Sequence, residues 1–269
     1  MNAFASHFSF EFRTGIRDKT LLLMNYLFPI GIYILLGLLM AELNPFFIKT
    51  MIPAFIIIAI MSGTVLSLPN PLVAAREAGI FRSYKINGIP AVSILTIPAI
   101  TTIAHMVVVA VVITATAPLF FNAPTPVGWP GFILFFLLTT FAHAGLGMLI
   151  SVISSSSRSV VLWSQLIFLP SMMIGGLMIP YDMLPGALGK IALLLPATYA
   201  MNVFQGFAHN QVTAIAPLWS IIILLAGGIL SLSLANYLFC WDSRNKARRG
   251  HPALALLALL PYILGVIFL

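Results

Sequence analysis

Two of the five histidines, His105 and His143, lie inside long apolar stretches, where an imidazole could relay a proton or hold a metal ion. Zinc sites draw on three or four protein ligands, and neither histidine has a carboxylate or thiolate on its own stretch to complete a set. The pair reads either as a proton-sensing or metal-binding element, or as polar contacts between helices and along a pathway. Asn25, Gln165 and Asn236 are further polar side chains in apolar stretches and invite the same choice between interhelical contact and pathway lining. A phosphate-cradling loop would need Gly-x-x-x-x-Gly-Lys-Ser/Thr. The nearest echo, Gly186 to Lys190, has the wrong spacing and is followed by Ile191. The run Ser154 to Ser157 before Arg158 has no acid–base partner and reads as a flexible turn. Cys240 is the only cysteine, read as a reduced structural thiol or a lipidation site. No catalytic constellation appears, so the chain is not read as an enzyme, and no metal is assigned to it.

The elements that carry these residues follow from composition. Of 269 residues, 61% are hydrophobic and 7% charged, against about 25% charged in soluble domains. A globule of this size has too little interior to hide such a fraction, so the lipid bilayer must be the solvent for most of the chain. The net charge of +7 is read as a topology signal and not as a nucleic-acid footprint. Residues 1–20 carry Arg13, Arg17 and Lys19 with no apolar core before them, unlike a signal peptide.

Six uncharged stretches are long enough to cross about 30 Å of hydrocarbon as helices: 21–41, 51–69, 91–121, 129–153, 160–180 and 216–241. A seventh, 253–269, is shorter, about 25 Å as an α-helix. The third is long enough, about 46 Å, that it must tilt or begin in the interface, with Pro98 near its first membrane turn. The expectation is an all-α integral membrane protein of six spans plus a seventh. With a cytoplasmic N-terminus, eleven of the 13 cations fall inside, and only Lys49 and Lys190 outside. No span contains a carboxylate, which counts against an ion-coupled carrier.

The connections divide the chain further. Residues 1–20 place Phe4, Phe8, Phe12 and Ile16 at a spacing of four. That pattern predicts an interfacial amphipathic helix, with a short strand or a basic tail as the competing readings. Residues 21–241 form the transmembrane body, and 242–269 a basic segment followed by the extra span. Between spans two and three, residues 70–90 hold Arg76, Glu77, Arg82 and Lys85 around Ile80, Phe81, Tyr84 and Ile86. They read as a short helix offered to a partner or as a solvated loop. Residues 181–215 are too apolar for a free loop and predict short re-entrant helices broken at Pro185 and Pro196. Gly227, Ser231 and Ala235, and Gly147, Ser151 and Ser155, mark two faces expected to pack closely on other helices.

The succession of Arg76-Glu77-Ala78-Gly79-Ile80-Phe81-Arg82, Gly175-Gly176 through Pro180 to Pro185, and Leu195-Pro196-Ala197-Thr198-Tyr199 resembles the membrane subunit of type-2 ATP-binding-cassette exporters, over about residues 1–245. The resemblance implies that the first inner connection couples to a separate ATPase, with Glu77, Gly79 and Arg82 on its motif between Arg76 and Lys85. It also implies an outer cap built on Gly175, Gly176, Pro180, Pro185, Pro196 and Tyr199. Leu195 stands where many members carry Asn, and the seventh stretch departs from the usual six-span plan. The expectation is therefore a permease of the inner membrane that pairs with a second permease. ATP and Mg would be bound by the partner ATPase, with no cofactor in this chain. The exported substrate would be apolar or amphipathic: a drug, an antibiotic or a lipid-like molecule. An ion-coupled carrier and a non-transporting scaffold or immunity subunit are the alternatives.

Overall fold

A computed structural model describes residues 3–43, 45–242 and 250–269, with side chains for 8–40, 47–242 and 250–269. Arg244, Lys246, Arg248 and Arg249, counted above as inner cations, lie outside the described residues. In chain order the helices are α1 (Ala3–Arg17), α2 (Lys19–Met40), α3 (Phe47–Glu77), α4 (Ile80–Ile86), α5 (Ala91–Phe121) and α6 (Trp129–Ile153). They continue as α7 (Ser157–Ile174), α8 (Gly186–Ala192), α9 (Pro196–Ala208), α10 (Pro217–Leu238) and α11 (Pro252–Phe268). The described residues contain no strand, which settles α1 as a helix. Six helices, α2, α3, α5, α6, α7 and α10, are long and apolar enough to cross a membrane.

The bundle is built around α3. In its most apolar stretch 94% of residues are buried, against 22% in α2 and in α7, so α3 is the axis and the other two are largely peripheral. Small residues let backbones approach where the bundle is tightest. Gly145 of α6 lies against the Gly228 carbonyl, where an added Cβ would sit 2.9 Å away, and Gly147 lies on the Thr64 carbonyl of α3. Both small-residue faces thus pack within the chain, except that Ser155 is exposed.

The second span departs from its expected end. The sequence predicts a stop at Pro69 and, from Asn70, a separate short helix or a solvated loop, yet α3 runs on to Glu77. Proline at position 69 cannot donate to the Val65 carbonyl four residues earlier. That carbonyl instead accepts the Ser164 hydroxyl of α7 at 2.7 Å, so the helix continues without an orphaned acceptor. Just before it, Ser62–Ser67 widens into a π turn beside a second one, Leu23–Leu27 of α2, and the Ser62 hydroxyl donates to the Met24 carbonyl between them.

Two further boundaries shift. Helix α7 starts at Ser157 because Ser156 and Ser159 cap it reciprocally, so the serine run is an ordered cap. It ends at Ile174 because Gly175 and Gly176 follow, the latter with φ of +82°, a left-handed value that favours glycine.

Helix α11 lies along α10. Its N-terminal end is near Leu238 and Tyr237, where Gly250 packs, and its last turn is near Trp219. Its first half, Pro252–Leu259, is wound as a 3₁₀ helix. That tighter winding stretches the 17 residues to about 30 Å. Ala255, Ala258, Tyr262 and Gly265 face inward, while Leu256, Leu257, Leu260, Ile263, Leu264 and Ile267 face out.

Candidate coupling face, polar cavities and outer cap

The end of the bundle that carries Arg76, Arg82, Lys85 and Arg158 is the basic end. There Gly79, with φ of +77°, turns the chain from α3 into α4. Phe81 is the buried anchor of α4 and stacks on Phe239, just past α10, with ring centroids 5.7 Å apart. Glu77, Arg82, Lys85 and Ile86 point away from the bundle, and Ile86 is 86% exposed. Arg82 pairs with Asp242 beyond α10. Tyr84 is half-buried, and burial first, then the nearby Glu11 carboxylate of α1, raises its phenol above the usual range.

Arg76 does not share this exposure. It is 5% exposed, and its guanidinium donates to the carbonyls of Ser151 at 3.2 Å, Val152 at 3.1 Å, and Ser154. These are acceptors at the end of α6 with no donor left in the helix, at the negative end of its dipole. Arg76 therefore ties the end of α3 to the end of α6.

The intramembrane polar residues separate into distinct places. Asn25 and His105 meet in one cavity of about 110 Å³, with Ser67, Thr101, Thr102 and Glu11 around them. His105 Nδ1 is 2.6 Å from the Tyr26 hydroxyl, Phe12 of α1 stacks on its ring at 4.4 Å, and Gly15 closes over its Nε2. The apolar face of α1 is thus partly docked on α5, whereas Phe10 and Ile16 stay exposed. His143 turns its Nδ1 to the Thr139 carbonyl of its own helix at 2.8 Å, and Asn236 Nδ2 likewise donates to Leu232 at 3.0 Å. The two histidines thus bond to different partners, and among the described residues no three potential ligands gather for a metal.

Gln165 lines a larger groove of about 520 Å³ at the basic end, between the start of α2, α3 and α7. Asp18, Thr20, Ser67, Asn70 and Ser164 line it too, beside Met24, Phe28 and Leu66. The Asp18 carboxylate is already committed, accepting the Thr20 and Leu21 amides that start α2. The groove is therefore amphipathic, with Asp18 the one charged side chain among the described residues that line it. Sequence reasoning missed Asn70 and Ser164 because it ended the span at Pro69 and put Asn70 in the connection; the signal was the hydroxyl and amide pair Ser164-Gln165 in an otherwise apolar span.

At the opposite end α8 and α9 meet at 90°. Such a turn at membrane depth needs its backbone satisfied by protein. The Thr198 hydroxyl donates to the Ala192 carbonyl at 2.6 Å and the Tyr199 hydroxyl to the Leu193 carbonyl at 2.8 Å, which accounts for both residues following Pro196. Leu195, at the cap position of α9, offers no side-chain acceptor, which Asn would. Asn202 Nδ2 lies 2.9 Å from both the Ile215 carbonyl and the Ser220 hydroxyl, tying the cap to α10. Pro180 and Pro185 flank the single turn Tyr181–Met183 that leads into α8.

The model of the ABC-2 type transporter family matches residues 3–208, a segment that holds α4, both cavities and the cap. No curated protein matches the chain.

Proposed function

The chain belongs to the ABC-2 type transporter family, and on that premise we propose that this permease subunit is an exporter powered by a separate ATPase docked on α4. The observation that carries the reading is the outward face of α4, where Ile86 stands 86% exposed beside Lys85 and Arg82 while Phe81 holds the helix to the bundle. A single exposed isoleucine is ordinary on a protein surface, but on a short helix with Glu77, Arg82 and Lys85 around it Ile86 adds an apolar contact to a charged face that a protein partner can cover. ATP and Mg belong to that partner, and this chain contributes no cofactor and no bond-breaking chemistry.

A motor pressing on α4 pushes directly on the end of α10, through Phe81 on Phe239. Differential contacts in the nucleotide-bound and nucleotide-free states then bias the permease between two conformations. The charge asymmetry supports a cytoplasmic N-terminus and basic end in the inner membrane. The amphipathic lining of the groove supports an apolar or amphipathic substrate entering from that end, such as a drug, an antibiotic or a lipid-like molecule. A second permease copy completes the pathway against α2 and α7, the helices least covered by their own chain.

The test is co-purification and vesicle transport with Ile86→Asp and Arg82→Glu. Both variants should accumulate normally, lose the ATPase on purification and lose ATP-driven efflux. Retention of a coupled ATPase by both would overturn the docking assignment. Transport that follows an ion gradient without ATP would overturn the motor.

A further inference from the structure

Helix α11 begins beyond the family-matched segment, which ends at residue 208, yet it reaches the cap. Two tyrosines and two glycines make the connection. The Tyr199 hydroxyl of α9 sits over Gly265 of α11, and the Tyr262 hydroxyl of α11 sits over Gly227 of α10. A Cβ at Gly227 would lie 2.7 Å from Tyr262 Cζ, and one at Gly265 would lie 3.1 Å from Ile223 Cδ1 of α10. Both glycines are therefore required by close approach. Both tyrosines are fully buried, with ring centroids 6.0 Å apart. Tyr199 is also the residue that satisfies the Leu193 carbonyl at the cap's 90° corner.

We infer that α11 is a seventh membrane crossing that clamps the re-entrant cap, Gly265 seating Tyr199 and Tyr262 seating on Gly227, so that α9, α10 and α11 move as one body. Length supports the crossing: 3₁₀ winding carries a run of 17 residues across about 30 Å, the thickness of the hydrocarbon. So does the inverted pattern of the helix, with small residues and one tyrosine toward α10 and bulky aliphatic side chains toward lipid. Gly265 and Tyr262 are positioning residues that act through Tyr199. The consequence for transport rests on the proposed role of the cap as the outer gate: opening must occur where α8 meets α9, since the other side of α9 is fastened to α10 and α11.

Amide hydrogen exchange on the full-length protein in lipid nanodiscs, without nucleotide or substrate, tests the clamp. Gly265→Ala displaces the Tyr199 hydroxyl and should raise exchange across residues 193–203 at least tenfold while leaving 145–153 unchanged. Tyr262→Phe should leave both regions unchanged, because the phenol has no hydrogen-bond partner. Tyr199→Phe alone should also raise exchange across residues 193–203, since the Leu193 carbonyl loses its donor, and Gly265→Ala added to it should raise exchange little further, because the colliding hydroxyl is already gone. No rise with Gly265→Ala, an equal rise in every helix, or a full additional rise when Gly265→Ala is added to Tyr199→Phe would each overturn the clamp. If Gly265→Ala does not accumulate, a C-terminal tag on the wild-type chain decides the crossing. It should be reached from the side opposite the N-terminus, and a tag on the same side overturns the proposal. A failed clamp leaves ATP-driven efflux intact, whereas failure of efflux leaves the exchange pattern intact.

Discussion

Replacing Arg76 with Gln separates its two possible roles, docking residue and internal tie. The guanidinium serves the carbonyls of Ser151, Val152 and Ser154, and all three residues are buried. Each buried acceptor left without a donor costs about 1–3 kcal/mol, and loss of a cation from the end of the α6 dipole adds up to about 2 kcal/mol. Against this, the variant recovers the several kcal/mol spent desolvating a guanidinium. The expected net loss is about 2–4 kcal/mol, which on the scale of domains this large lowers a melting midpoint by about 5–15 °C. Arg76→Lys keeps the charge but not the fork and should fall between. Arg82→Gln is the control: its own side chain is 53% exposed, though its partner Asp242 is at 17%. A pair of that kind contributes at most about 1 kcal/mol, so its midpoint should barely move. Thermal unfolding followed in detergent reads all three. If Arg76→Gln melts within 2 °C of the parent (about the least that 1 kcal/mol would produce), the tie is absent. If it also sheds the ATPase below its melting point, Arg76 belongs to the docking face after all.

Two further outcomes follow from packing and burial. Gly147→Ala puts a Cβ onto the Thr64 carbonyl, a backbone atom in the π turn of α3. The overpacking should destabilise by about 1–3 kcal/mol, and unchanged accumulation and melting would mean that the π turn yields freely. His209, just past the cap, is buried, and burial lowers its imidazole below the ordinary value of 6.5. The unfolded chain therefore binds the proton more readily, so the stability present above about pH 6.5 is lost as pH falls through the folded value. His209→Gln should flatten the dependence of the melting midpoint between pH 7.5 and 5, whereas a parallel decline would place the acid sensitivity elsewhere.

What the sequence made legible depended on whether the governing interaction was local. Helices α5 and α6 begin and end where Pro90, Asn122, Gly128 and Ser154 say they should, because termini and turn residues act on their own neighbours. The extension of α3 to Glu77 was hidden because its cause is a hydroxyl on α7, far along the chain, that takes the carbonyl freed by Pro69. Arg76 looked like any cation between two spans, since nothing near it in sequence reports the carbonyls it caps. His105 and His143 looked like a pair because both are imidazoles in apolar runs, yet one meets α1 and α2 and the other its own helix. The cap was readable from Pro185, Pro196 and the apolar character of the region. The reason for Thr198 and Tyr199 became visible only with the corner they satisfy.

The position of α10 decides how a push at one end could be felt at the other. At the basic end it receives α4 through Phe81 on Phe239. Along its length it is pinned to α6 by the Gly145–Gly228 approach, too close for side chains to cushion. Near the middle Tyr262 lies over Gly227, and at the opposite end Ser220 meets Asn202 of the cap. Contact continuity alone is not coupling, which requires an element with two arrangements that both ends bias. Close glycine packing makes α10 a poor candidate for bending and a good one for moving whole. On the proposed reading the two arrangements reside in what α10 pushes against, the cap's 90° corner held by the Thr198 and Tyr199 hydroxyls.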